Sequence, residues 1–271
     1  MNALPCLHES HHERFGMLRL VRYHLDLFSN LVARDIKFRY KGSFLGILWS
    51  LLQPLSLIAV YSFLFTRVIA LDIPNYVPFL VAGVLPWNWF TASLDFSADV
   101  LLANRDLIKK AVFPHELLLL ATITSNLLIL ALGLPVLLIF LAISNIPLSP
   151  AVVFLPAVVI LQYAFTLGLA LVVSTLNVYF RDVRHLLGVV LFAWFFLTPV
   201  FYDAALVPAA YRELFSANPM AHIIGGYRDV LLFARTPDWP VLSQLALTSA
   251  MVLGLGFAIF ARCKRSFPEE L

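Results

Sequence analysis

The first residues that could do chemistry are His8-Glu9-Ser10-His11-His12, a match to His-Glu-x-x-His. On a buried helix, histidines four apart share a face and can hold zinc, with the glutamate as general base. Here the run lies in a polar terminus ahead of any apolar element, so a solvated, disordered tail over residues 1–16 is the expectation. His24, His115, His185 and His222 are scattered along the chain. No Ser-His-Asp set or carboxylate pair can be argued from spacing. No Gly-x-x-x-x-Gly-Lys-Ser/Thr phosphate loop is present, so ATP is not bound by that device. No cofactor, metal or nucleic acid is expected. A membrane glycosyl or acyl transferase would need an acid or base in a cavity, and only Asp95, Asp99 and Asp203 border apolar stretches. Transport therefore ranks above catalysis.

The elements that must position any site are membrane spans. Hydrophobic residues make up 61% of the 271 residues and charged residues only 13%; a soluble domain carries roughly 25% charged. Spans need about 20 mostly apolar residues. The gaps between charges place them at about 44–66, 76–97, 117–143, 151–177, 186–202 and 241–261. Ser144 to Pro150 punctuates the long uncharged stretch between the third and fourth. The fold class is thus an all-α integral membrane protein with six transmembrane helices in a permease-like body over 44–262. Fifteen of the nineteen Lys and Arg residues fall on one side of this arrangement. The positive-inside bias makes that side cytoplasmic, with both termini there, including a short tail at 263–271. Cys6 and Cys263 lie near opposite ends and imply no disulfide framework.

Three segments depart from a plain bundle. In residues 17–43, Leu18, Val21, Leu25, Phe28, Val32 and Ile36 recur at helical spacing, with basic residues between them. This predicts an amphipathic interfacial helix, carrying Arg34, Lys37, Arg39 and Tyr40 into the first span; packing on another subunit is the alternative. Asn104, Asp106, Lys109 and Lys110 are placed to cap a short helix that Pro114 ends, and it serves either as docking element or as connector. Residues 203–240 hold several prolines around the apolar Met220–Phe233, which predicts short re-entrant helices on the outer side rather than an ordered loop.

Polar residues form stripes inside the spans: Gly46, Trp49, Gln53 and Ser56 in the first, Asn88, Thr91, Asp95 and Asp99 in the second, and Gln162, Thr166 and Asn177 in the fourth. They serve helix packing or line a wet path. Trp49 and Trp239 suit an interfacial belt. Trp87, Trp89 and Trp194 lie too deep for one.

The run Arg34-Asp35-Ile36-Lys37-Phe38-Arg39-Tyr40-Lys41-Gly42-Ser43-Phe44-Leu45-Gly46-Ile47-Leu48-Trp49, followed by Pro54, resembles the start of permeases of ABC polysaccharide exporters. Asn104-Arg105-Asp106-Leu107-Ile108-Lys109-Lys110 with Phe113-Pro114 resembles their first cytoplasmic loop, and Tyr179-Phe180-Arg181-Asp182-Val183 their second. Thr198-Pro199-Val200-Phe201-Tyr202 and Asn218-Pro219 resemble their outer segment. The match runs from about Leu18 to the carboxyl end, and order and spacing together carry it.

The resemblance implies a homodimer of permeases in a bacterial inner membrane, joined to two copies of a separate ATP-binding subunit. It implies that 104–113 is the coupling helix, with Asn104, Arg105, Asp106, Leu107, Ile108, Lys109, Lys110 and Phe113 as its contact residues. It also implies an outward path for an undecaprenyl-linked polysaccharide, O-antigen before teichoic acid, for which Trp87, Phe90, Trp194, Phe195, Tyr202 and Gln53 are candidate lining. A lipid-facing position or core packing is the alternative for each aromatic, and taken singly each is better explained that way. A drug or small-lipid exporter of the same superfamily is the competing substrate class.

Overall fold

The computed structural model describes residues 9–69, 73–110 and 113–271, with side chains from residue 22 onward except Leu214. Regular structure among them is entirely helical. The long α1 (Glu9–Tyr40) runs into a short 3-10 turn and then α2 (Trp49–Phe63), which loosens into a π-helical turn at Leu64–Val68. Next come α3 (Tyr76–Ala103), the short α4 (Arg105–Lys110), α5 (Glu116–Ile143) and α6 (Leu155–Tyr179). α7 (Val183–Phe196) leads through two single turns to α8 (Arg212–Ser216) and α9 (Pro219–Leu231). α10 (Trp239–Cys263) and α11 (Phe267–Glu270) close the chain.

Among the described residues, five helical segments are long and apolar enough to cross a membrane: Gly46–Val68, Tyr76–Ala103, Glu116–Ile143, Pro150–Tyr179 and Trp239–Cys263. The expected fifth span, 186–202, is different. α7 has 14 residues, a rise of about 21 Å at 1.5 Å each, short of a hydrocarbon core of ~30 Å. The chain turns at Thr198–Tyr202 instead of continuing as a helix. The second span is longer than expected and reaches Ala103. Backbone helix begins at Glu9, inside the stretch expected to be a tail. The zinc-like motif lies outside the residues with described side chains.

α3 is the hub. Its most apolar stretch is 78% buried, against 11% for Gly46–Val68, and it packs on α2, α5, α6, α7 and α9. Polar side chains set its register against α6: Gln162 Nε2 donates to the Pro86 carbonyl at 2.8 Å, and Asn177 Nδ2 to the Ala98 carbonyl at 2.9 Å. α6 and α10 cross backbone to backbone. A Cβ on Gly168 would stand 2.6 Å from the backbone at Val252 and Leu253, and Gly256 abuts Gly168 in turn. Small residues at such crossings let van der Waals packing hold helices together where lipid gives no hydrophobic drive.

The carboxyl end is packed rather than loose. Phe267 is fully buried and meets Phe260 edge to face at 5.3 Å. Lys264 Nζ pairs with Glu116 at 2.8 Å, and the hydroxyls of Tyr179 and Ser266 bond at 2.6 Å. α11 thereby sits against α4 and α6. The end of the bundle that holds α1, α4 and α11 is called the near end below, and the end that holds α8 and α9 the far end.

Candidate functional site

Toward the near end, the bundle encloses a chamber of about 710 Å³. α3 supplies its polar wall. Asn88, Thr91, Asp95 and Asp99 recur at three- and four-residue steps, so one helix face carries all four into it. α2 contributes Trp49 and Gln53, α5 contributes Asn126, and the start of α7 contributes Arg184 and His185. Trp49 and Phe96, 51% and 47% exposed, also line this space. The stripe predicted in the second span thus lines a cavity. Only part of the fourth span's stripe reaches another role, because Gln162 and Asn177 hold helix register.

Arg39 forms the corner where α1 meets the bundle. Its guanidinium donates to Asn126 Oδ1 and to Asp35 Oδ2, both at 2.6 Å, and lies 3.6 Å over the Phe96 ring. The side chain is only 9% exposed, and its Nε–H has no partner among the described residues. Burial lowers its pKa from the ordinary value, with Asp35 opposing. Beyond it, Leu31 and Val32 bury against the bundle, and α1 packs along α5. Arg39 was expected on an interfacial face with Arg34, Lys37 and Tyr40. It turns inward instead, because Asn126 and Phe96 give it partners that water would otherwise supply. Tyr40 also faces the chamber. Arg34 reaches across to Asn104 Oδ1 at 2.6 Å, and Lys37 stays exposed.

The far end is held by a second arginine. Arg228 of α9 is 5% exposed. It donates to the carbonyls of Phe79 at 3.3 Å and of Pro199 and Val200 at 2.6 Å each, and stacks 3.4 Å over the Phe79 ring. Gly83 makes room, since a Cβ there would stand 2.7 Å from Val200 O and 2.8 Å from Arg228 Nη2. Asn218 caps α9 by accepting from the Met220 N–H at 3.0 Å, with Pro219 at the first helical position. It also accepts from Trp194 Nε1 at 2.9 Å and donates to Thr198 Oγ1 at 2.9 Å. These bonds pin the α7–α9 connection onto α3. Nothing in the sequence pattern marked Arg228, which reads there as one more charge outside the spans.

With this geometry in place, comparison with known proteins is informative. A family described as ABC-2 type transporter matches residues 26–232. The chain belongs to that family. It is 36% identical over 261 residues to the O-antigen export system permease protein RfbA of Myxococcus xanthus, covering 94% of this chain and 100% of the relative. It is 34% identical over 250 residues to the Klebsiella pneumoniae protein of the same name, covering 92% and 96%. It is 22% identical over 243 residues to the polysialic acid transport protein KpsM of Escherichia coli, covering 85% and 90%.

Within this ABC-2 chain the expected coupling residues divide by face. Arg105, Asp106, Lys109 and Lys110 are exposed, whereas Ile108 is 4% exposed and Leu107 and Phe113 are half-buried. The apolar pair therefore seats α4 on its own bundle, and the charged face is what a partner could meet. Asn104 does not cap α4 with its side chain. It closes α3, donating Nδ2 to the Val100 carbonyl at 2.8 Å, while its own carbonyl accepts from Leu107 and Ile108.

The aromatic candidates come together, but in the core. Phe90 stacks on Phe165 at 6.0 Å and meets Trp194 edge to face at 5.3 Å. Trp87 lies 5.6 Å from both Phe90 and Phe195. Trp87, Phe90 and Phe195 are buried within the single chain. This placement supports the packing alternative for them, because each ring's neighbours are other rings. Tyr202 is half-buried and bonds the Phe196 carbonyl at 3.0 Å. Of the six path candidates, Gln53 alone lines the chamber. The chamber's rings, Trp49 and Phe96, were not among the candidates.

Proposed function

We propose that this chain is the permease subunit of an ATP-driven exporter that moves a lipid-linked polysaccharide, O-antigen in type, out of the cytoplasm. The observation that carries this is the 36% identity that spans the whole length of an O-antigen export permease. A polar chamber framed by apolar helices is the feature such a task requires, since intramembrane polar groups face an interior or a water-filled cavity. In this reading the near end is cytoplasmic, consistent with its basic residues. The far-end segment 203–240 is a re-entrant pair, and α7 with the following turn completes a sixth crossing. Two permeases pair, two separate ATP-binding subunits dock beneath them, and the carrier is an undecaprenyl lipid in the bacterial inner membrane.

The charged face of α4 is the docking surface in this proposal. Arg105→Ser, Lys109→Ser and Lys110→Ser together remove three exposed cations and no packing. The triple variant is expected to insert at normal yield, to lose recovery of the ATP-binding subunit in a pull-down, and to abolish surface polymer. A permease-deficient strain regains surface polymer with the wild-type gene. Unchanged pull-down and export in the triple variant would remove α4 from the interface. Failure of the wild-type gene to restore polymer would remove the export reading itself.

A further inference from the structure

The chamber's charges are not equally available. Arg184 is ion-paired with Asp99, which also accepts from Asn177 Nδ2 at 3.3 Å. Arg39 is engaged by Asp35 and Asn126. Asp95 stands exposed in the lining and makes neither a hydrogen bond nor an ion pair. Tyr40 and His185 are the remaining titratable groups in the wall. The charge of Arg184 also acts on Asp95, but two arginines stand against Asp35, Asp95 and Asp99, so the balance of charge at the chamber is negative.

Asn88 and Gln53 bring side-chain amides to the same lining, and Trp49 and Phe96 bring rings, that of Phe96 already carrying Arg39 at 3.6 Å on one face. A carboxylate accepts strong hydrogen bonds from hydroxyl groups. Amides both donate and accept, which suits the mixed roles of neighbouring sugar hydroxyls. Aromatic faces favour the positive edges of C–H groups. A volume of 710 Å³ falls within the ~300–1,000 Å³ range of small-ligand sites. An added carboxylate or phosphate would meet an unpaired negative charge in surroundings of reduced dielectric, where repulsion is strong, and juxtaposed like charges are how binding sites reject wrong partners.

We propose that this chamber is a glycan subsite selective for uncharged sugar units over anionic ones, with Asp95 as the residue that discriminates. The inference rests on the export reading and narrows its substrate class to neutral, hydroxyl-rich repeats. The pyrophosphate of a lipid carrier is excluded from this chamber by the same charge and must lie elsewhere.

The test compares galactotriose with trigalacturonate, which differ only in carrying a hydroxymethyl or a carboxylate at each ring. Each is titrated into the full-length chain, purified in detergent with its ATP-binding partner, following tryptophan fluorescence. Wild type is expected to bind the neutral trisaccharide at least tenfold more tightly. Asp95→Asn keeps the shape but gives up the charge-assisted bonds, so neutral binding should weaken severalfold while anionic binding does not, shrinking the preference below threefold. Asn88→Asp adds a second carboxylate and should widen the preference; it serves as an independent variant if Asp95→Asn assembles poorly. Equal or tighter binding of the anionic sugar by wild type would overturn the proposal. So would a preference unchanged in both variants. Absence of saturable binding by either sugar would overturn the chamber's assignment while leaving the export reading standing, because that reading is judged by surface polymer alone.

Discussion

Two buried arginines divide the molecule. At the far end, Arg228 spends its donors on three backbone carbonyls and its face on Phe79, and among the described residues no acidic side chain forms an ion pair with it. At the near end, Arg39 combines an acid, an amide and a ring, keeps one N–H unused, and borders a chamber. Carbonyls fixed in a turn cannot move away from a guanidinium without breaking the turn. Side chains on three different helices can. The far-end arrangement is therefore a rigid clasp, and the near-end one a joint between α1, α3 and α5. Desolvating a charge is costly unless its hydrogen bonds are complete. The clasp meets that condition by closure, and the joint falls one N–H short of it.

Replacing Arg228 is the most severe way to probe the contrast. Arg228→Met removes the donors and leaves the carbonyls of Phe79, Pro199 and Val200 buried without partners, at about 1–3 kcal/mol for each group left unsatisfied. A total loss of roughly 3–5 kcal/mol is expected, seen as a collapse in detergent-extracted yield and thermal midpoint. Arg228→Lys should not rescue it, since an ammonium lacks the planar fork that reaches three acceptors and the flat face that stacks. Near-normal yield for Arg228→Met would erase the distinction between clasp and joint.

Arg39→Gln is expected to be milder in stability and harsher in function. The loss should be about 1.5–3 kcal/mol, the usual worth of hydrogen bonds to a charged group, so assembled protein remains recoverable. Surface polymer should fall severalfold, because α1 loses its attachment to the chamber wall. A variant that exports normally would show that the joint is only structural.

The smallest effect concerns pH at the near end. His115 lies in the turn before α5, 5.3 Å from Phe113 and 6.4 Å from Phe267. Burial pushes its pKa below the ordinary value, and Glu116 opposes the shift. The unfolded chain then binds a proton at higher pH than the folded one. Stability from this group is complete above about pH 6.5 and declines as pH falls toward the lowered folded value. Thermal midpoints at pH 7.5 and 5.5 should differ by less in His115→Gln than in wild type. An identical difference in both would place the acid sensitivity elsewhere.

Span positions were legible because charge is expensive in a bilayer, so its absence outlines each helix. The third, fourth and last spans came within two residues of their observed ends, counting the turn at Pro150 with the fourth. The fifth helix stops short of its expected end: apolarity continues through Thr198–Tyr202, whereas the chain turns there with the Pro199 and Val200 carbonyls directed at Arg228. The polar stripe of α3 was readable from spacing alone, since helical period fixes which residues share a face. Whether a face meets lipid, core or cavity depends on its neighbours, and that is why the aromatics were left open between path lining and packing. Trp87 and Phe90 are surrounded by rings from α6 and α7 that no spacing rule places beside them. Ile108 shows the same limit in a short helix: its apolar character was legible, but not that its own bundle claims it.

The crossing of α6 and α10 at Gly168 and Gly256 bears on how such a machine could work. Two backbones already in contact have no slack to slide or tilt without a clash, and α3 is bolted to α6 by Gln162 and Asn177. Together these helices form a stator. Displacement during a transport stroke then falls to α1, α2 and α7, the thinly buried helices bordering the chamber. An energy input at α4 would be transmitted along α3 as along a push-rod, and the compliant walls would yield before the frame.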